Sequence, residues 1–258
     1  MNKGKLLSLD NIKLIEIEIL DHVVSVCNQY KLRYYIMYGT LIGAVRHKGF
    51  IPWDDDIDIV MPRKDYEQLT SIFSQTKGQR YILLNDNTKG YTLPFAKVVD
   101  TKTQILEETL DDFENNGIWI DIFPYDGIQN KFHYKTCYLL NKCRAASIYK
   151  HFPKGRGGSY WEWKLCRIIG YKFFAKLYNK ICTKYDYETS DEVGFMGSLK
   201  GHFSRDIMNE KTLLEFEGKK YCAPKNYDYI LSFIYGDYMT LPPENERITH
   251  HIKAIMKE

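Results

Sequence analysis

Four aspartates, Asp54, Asp55, Asp56 and Asp58, fall within five positions of the stretch 38–61, YGTLIGAVRHKGFIPWDDDIDIVM. Carboxylates this crowded repel one another unless a cation shares the site. Asp56 and Asp58 alternate with Ile57 and Ile59. On a strand that spacing puts both carboxylates on one face and both isoleucines on the other. Paired oxygen ligands on a rigid strand suit a hard divalent ion such as Mg2+ or Mn2+. Asp121 stands between Ile120 and Ile122, beside Trp119, in what reads as a buried strand. A lone buried acid is costly unless it is paired or metal-bound. If the two strands are neighbours, three carboxylates converge, enough for two ions. In-line phosphoryl transfer requires that arrangement: the metals neutralise the transferring phosphate and bind both attacking and leaving oxygens.

Other residues surround these acids in the sequence. Gly39-Thr40 sits at a strand-to-helix junction, where backbone N–H groups can approach a phosphate at a helix N-terminus. Arg46, His47 and Lys48 precede the acids and suit a diphosphate. Lys97, alternating with Phe95 and Val99, reaches the same phosphate or is a plain edge-strand lysine. Arg63 directly follows the acidic strand and has the same two readings. Asp54 and Asp55 are expected to support the site rather than act as primary ligands. In the tail, Arg247 shares a helix face with His250 and His251 by its spacing of three and four residues. A quaternary ammonium would call for an aromatic cage, for which Tyr38, Trp53, Trp119, Tyr125 and Tyr235 are candidates.

The elements that must position these groups follow from periodicity. A helix over 8–29 is capped by Ser8 or Asp10 and carries Ile12, Ile15, Ile19, His22, Val23 and Val26 at helical spacing. Strands are predicted at 33–38, 56–61, 81–84, 93–100 and 118–123, the last closed by Pro124 and Gly127. Short helices are predicted at 41–46 and 65–74, with Gly39-Thr40 as a tight turn. A basic helical stretch follows, broken near 151–159 by HFPKGRGGS. Residues 187–203 read as a loop, 227–235 as a helix, and the chain is expected to close on a helix.

The chain of 258 residues carries a net charge of +3, unevenly placed. Residues 129–185 hold thirteen Lys and Arg against one acid, Glu162, a local net charge of +12 that leaves −9 elsewhere. That asymmetry points to a polyanionic neighbour. The six cysteines are widely spaced, with no C-x-x-C pair, which argues for free thiols and a reducing compartment. The charged N-terminus has no signal-peptide core, and no run of about 20 apolar residues appears. The expected location is the cytoplasm, at the inner face of the membrane. Residues 159–184, aromatic, apolar and basic, resemble an interfacial amphipathic helix suited to peripheral membrane contact.

A Gly-Thr turn, then D-x-D on a strand, then a distant strand acid, resembles the DNA polymerase beta-like nucleotidyltransferase superfamily, with Thr40 where serine is usual. More narrowly, GTLIGAVRHKGFIPWDDDIDI, WIDIFP and YGDYMTLPPENERITHH resemble the LicD family of phosphocholine transferases of teichoic acid and lipopolysaccharide, relatives of the fukutin-type phosphoribitol transferases. The resemblance implies an α+β fold: a nucleotidyltransferase-like mixed β-sheet flanked by helices, with a basic aromatic helical insertion. It implies a catalytic core at 1–128, a basic helical segment at 129–186, and a C-terminal part at 187–258 that completes the cleft. It implies transfer of a phospho-alcohol from CDP-choline, or a similar CDP-alcohol, to a hydroxyl of a glycan acceptor, lipid-linked or free, with release of CMP. Asp56, Asp58 and Asp121 would be the metal-binding catalytic acids, with Asp121 helping to deprotonate the acceptor. Gly39 and Thr40 would cradle donor phosphate. Rivals are an NMP-transferring nucleotidyltransferase, which would release pyrophosphate, and a nucleic-acid-binding module. The module leaves the three acids unexplained, and nucleic acid is not an expected partner.

Overall fold

The computed structural model describes residues 5–75, 78–106, 116–149, 159–247 and 253–257. The chain forms two compact units, Met1–Pro124 with Ile207–Glu258, and Tyr125–Asp206. Together they give a mixed α/β architecture.

The first unit opens with α1 (Leu9–Tyr30), whose N-cap Ser8 accepts a hydrogen bond from the Asn11 N–H. It continues with β1 (Tyr35–Ile36), α2 (Tyr38–Arg46), β2 (Asp58–Pro62), α3 (Arg63–Gln75), β3 (Tyr81–Leu84), β4 (Ala96–Asp100), β5 (Thr103–Ile105) and β6 (Trp119–Ile128). The central sheet has the order β1-β2-β6-β4-β3. The strand of Asp121 is therefore the neighbour of the strand of Asp58, and the Asp121 N–H donates to the Ile57 carbonyl at 2.8 Å. The core is built from Ile19, Leu20 and Val23 of α1 with Ile36, Leu41, Ile57, Ile59, Val98, Ile120 and Ile122, all fully buried.

Several boundaries differ from the sequence expectation. Gly39 and Thr40 form the first turn of α2 itself rather than a separate tight turn, and Tyr38 enters the helix at φ 51°. Met37 and Asp58 are joined by a backbone hydrogen bond of 3.0 Å, so the chain turns into the helix directly from the sheet. The acidic strand starts at Asp58, and Asp54 to Asp56 lead into it. Its alternation holds nonetheless: Asp55, Ile57 and Ile59 are buried, while Asp54, Asp56 and Asp58 are half-buried. Strand β6 does not close at Pro124. Proline has no N–H to give to a ladder, and Pro124 falls between the span paired with β4 (Trp119–Ile122) and the span paired with β7 (Asp126–Ile128).

The second unit holds α4 (Lys131–Ile148), α5 (Tyr160–Ile169), α6 (Tyr171–Cys182), β7 (Glu192–Gly194) and β8 (His202–Ser204). Helix α4 packs against α5 and α6, and Ile128, Tyr134, Cys137, Tyr178, Cys182 and Met196 form a core. Residues 159–184 are thus two helices, not one. Gly170, at φ 90°, ends α5 and starts α6. The stretch read as a loop at 187–203 contains the antiparallel β7–β8 pair.

After α7 (Arg205–Asn209) the chain adds the antiparallel β9 (Lys211–Phe216) and β10 (Lys219–Pro224), α8 (Tyr227–Tyr235) and a 3-10 turn at Glu244–Glu246. The end is a strand rather than a helix: β11 (Ala254–Met256) pairs with β5.

Candidate functional site

The acids gather at one end of β2 and β6. Thr40 is buried, and its Oγ1 accepts from the Asp58 N–H at 2.8 Å, tying α2 to the strand that carries the carboxylate. Gly39 lies so close that a Cβ there would meet Asp54 Oδ2 at 2.7 Å and Asp56 Oδ1 at 3.9 Å. A side chain at Gly39 would displace the Asp54 carboxylate and rest against that of Asp56. The first turn of α2, with its partial positive charge, therefore faces the acids. Gly43 does a second job: a Cβ there would meet the Gly49 carbonyl at 2.4 Å, so its absence lets the 47–50 loop lie against the helix.

Asp58 titrates well above the ordinary carboxylate range, first because it is desolvated and then because Asp56, Asp121 and Asp54 surround it. Burial also raises Asp121, against the pull of Lys97 and Trp119. Asp121 Oδ1 is buried without a hydrogen-bond partner, and Lys97 Nζ lies 3.6 Å away. The same ammonium sits 3.5 Å from the centre of the Trp119 ring. Lys97 is opposite Asp121 in the ladder, and β4 lies between β6 and β3, so this lysine belongs to an interior strand, not an edge. Tyr235, half-exposed, has its ionisation pushed up by burial and by Asp58, Asp54 and Asp56.

One acid has no counterpart in the sequence expectation. Glu16 on α1 is 1% exposed, and its Oε2 has no hydrogen-bond partner. Its carboxyl is raised by burial first, then by Asp56, Asp55, Asp121 and Asp54. The signal was an acid in the middle of an apolar stripe: Glu16 falls in phase with Ile12, Ile19 and Val23. A consequence can be measured. A carboxyl raised in the folded state holds protons that the unfolded chain has released, so its ionisation drains stability as pH climbs from about 4. Glu16→Gln should match the wild type near that pH and exceed it by a widening margin toward pH 8, a few degrees in thermal melts. A variant that falls behind at high pH would mean that the Glu16 charge is paired.

A second cluster forms beside the first. Arg46 donates to the Tyr238 carbonyl at 2.6 Å and to His47 Nε2 at 2.9 Å. Burial and Arg46 lower the His47 pKa. His47 meets Trp53 edge-on at 6.5 Å, and the Arg247 guanidinium stacks over Trp53 at 5.0 Å. Arg247 is further fixed by the Pro242 carbonyl at 2.9 Å. Lys48 is exposed and turned back to the Val45 carbonyl, and Arg63 packs over Tyr66. Tyr125 is 1% exposed in the second unit, so it offers no ring face to a ligand. His250 and His251 lie outside the described residues.

Among the described residues, no three His, Cys, Asp or Glu side chains are grouped so as to hold a metal ion as they stand. The arrangement is a desolvated acidic cluster with Lys97 against Asp121, and an arginine–histidine–tryptophan cluster about Trp53.

The class this defines is an α/β protein in which two neighbouring strands bring carboxylates to the start of a helix. The family model described as LicD/FKTN/FKRP, nucleotidyltransferase domain, matches residues 31–155. Lipopolysaccharide cholinephosphotransferase LicD of Haemophilus influenzae is 32% identical over 265 residues, covering 96% of this chain and 98% of that protein. Ribitol 5-phosphate transferase FKRP of Mus musculus is 27% identical over 124 residues, covering 44% of this chain and 22% of that protein. The chain belongs to the LicD family.

Proposed function

We propose that this protein transfers a phospho-alcohol, phosphocholine before ribitol or glycerol phosphate, from a CDP-activated donor to a hydroxyl of a cell-surface glycan or its lipid-linked precursor. The observation that carries this reading is the near full-length match to a protein named as a lipopolysaccharide cholinephosphotransferase. The acidic site supports it, on a nucleotidyltransferase-like core. No described helix is long and apolar enough to cross a membrane. We infer work at the cytoplasmic face of a membrane.

A divalent cation fits these residues. Asp58 and Asp121 are held at raised pKa by burial, Asp58 by like charge as well, and Asp121 Oδ1 lacks a hydrogen bond. A cation relieves both. Asp56, Asp58 and Asp121 would hold Mg2+ or Mn2+, two ions in the full reading, with Asp54 and Asp55 supporting them. When bound, such ions neutralise charge on the phosphates.

The remaining steps belong to the chain. The first turn of α2, at Gly39 and Thr40, the cations Arg46 and Lys48 and the neutral imidazole of His47 orient the donor diphosphate, with Lys97 and Arg63 completing the positive lining. Trp53, Trp119 and Arg247 form the remaining substrate contacts. The acceptor oxygen bonds to the phosphorus that carries the alcohol, the bond from that phosphorus to CMP breaks, and Asp121 takes the acceptor proton.

The test is incubation with CDP-choline, CDP-ribitol and CDP-glycerol in turn, with Mg2+ and a hexosamine-containing acceptor. CMP release from one donor is expected, with slow hydrolysis even without acceptor. No CMP from any donor, with pyrophosphate released from CTP, would replace this reading with nucleotidyl transfer.

A further inference from the structure

The second unit turns an apolar helix face to solvent. Helix α5 begins with a capping box, Ser159 N–H to Glu162 Oε2 at 2.6 Å and Glu162 N–H to Ser159 Oγ at 3.2 Å, which fixes its start and rotation. Cys166 is its buried residue and Trp163 is half-buried, so these mark the inward side. On the other side Trp161, Leu165 and Ile168 are 72%, 57% and 74% exposed. Their spacing of four and three residues makes a single stripe. An amphipathic helix of a globular protein ordinarily turns such a stripe to the core. Phe173, at the start of α6, is exposed as well.

Two cations run along one side of the stripe, and Glu162 lies on the other. Lys164 Nζ lies 5.4 Å from the Trp161 ring centre, and the Arg167 guanidinium lies 5.3 Å from that of Trp163. Behind the stripe, Leu165 and Ile169 help to wall a cavity of about 910 Å3 that Tyr138, Trp163 and Phe174 also line. An apolar stripe with a basic border along one side, a tryptophan at its end and an apolar hollow behind it suits a surface that is hydrocarbon below and anionic above.

We propose that this face of α5, with the start of α6, docks on an anionic lipid bilayer. Trp161, Leu165 and Ile168 enter the boundary between headgroups and acyl chains, and Lys164 and Arg167 meet the headgroup charge. A second copy of the chain is the poorer occupant. Pairing this face with itself brings together two segments of +12 each, counted over 129–185, and like charge opposes that contact. The docking goes beyond the transfer reading and does not rest on it, though a lipid-linked acceptor would give it a use.

The test is co-sedimentation of the full chain with vesicles of phosphatidylcholine alone, or with about one-third phosphatidylglycerol, at about 0.15 M salt. Binding to the anionic vesicles is expected, with a blue shift in tryptophan emission. Replacing Trp161, Leu165 and Ile168 together by serine should lower the partition coefficient by at least about tenfold. Reversing charge with Lys164→Glu and Arg167→Glu should lower it by about tenfold or more. Both variants should keep the wild-type melting temperature and circular dichroism, because the altered side chains are exposed. Both should also keep donor turnover with a soluble acceptor, so a failure of docking leaves the transfer reading standing. Wild-type protein that ignores anionic vesicles, or a serine variant that binds them equally well, would overturn the proposal. So would a wild-type dimer that the serine variant dissociates without vesicles.

Discussion

Asp58→Asn is expected to lower donor turnover by at least about a thousandfold, while leaving the fold as stable as the wild type or more so. Both halves come from one feature. Asp58 is desolvated and hemmed in by Asp56, Asp121 and Asp54, so its negative charge is unfavourable to the folded chain alone. An amide of the same shape removes that charge and can still donate to a neighbouring carboxylate. The same substitution removes an oxygen ligand from the proposed cation site and leaves Asp56 and Asp121 there. Thermal melts without divalent cation should put the variant level with the wild type or a few degrees above it. Adding Mg2+ should raise the wild-type melting temperature and leave the variant nearly unmoved. Turnover above a tenth of wild type, or an equal Mg2+ shift in both proteins, would remove Asp58 from the site. Retained function with lost stability would mean that Asp58 is structural.

The site was more legible in the sequence than the fold that carries it. Asp56, Asp58 and Asp121 stand out because an acid flanked by isoleucines on a strand contradicts the apolar pattern around it. The three converge only if their strands are neighbours, a condition that the sequence leaves open and the sheet order meets. Glu16 is the same kind of contradiction on a helix. It escapes notice because one glutamate is unremarkable in a helix that also carries Glu18 and Asp21. Only its phase against Ile12 and Ile19 betrays it. The β9–β10 hairpin is a different case. Its turn, Glu217 at φ 50° and Gly218 at φ 73°, is a two-residue left-handed turn of the kind that hairpins favour. Strand β9 is mostly exposed, so its alternation is too weak to announce a strand. The hairpin nonetheless serves the site: Glu217 accepts from the Phe50 N–H at 3.0 Å and pins the loop that leads to the acids. Pro124 and Gly127 mislead because they mark a change of partner strand within β6 rather than its end.

Lys97→Met should cost about 2–3 kcal/mol of stability, and Lys97→Met combined with Asp121→Asn should recover most of it. The side chains of Lys97 and Asp121 are 12% and 14% exposed and 3.6 Å apart across two paired strands. Removing the ammonium leaves a carboxylate in a desolvated place with Oδ1 already lacking a hydrogen bond. Penalties of 3–5 kcal/mol are usual for breaking a fully buried pair, and the residual exposure here reduces that to about 2–3 kcal/mol. Removing both charges takes away the cause, so a double-mutant cycle should return a large favourable coupling. Burial raises the Asp121 pKa above its unfolded value even with Lys97 present. The loss in the single variant should therefore be smallest near pH 4, where the carboxyl protonates, and grow toward pH 8. Turnover separates the roles. If Lys97 also meets the donor phosphate, Lys97→Met loses about a hundredfold or more in kcat/KM, and Lys97→Arg restores part of it. Additive stability losses, with no coupling between the two positions, would reduce the pair to two independent neighbours on adjacent strands.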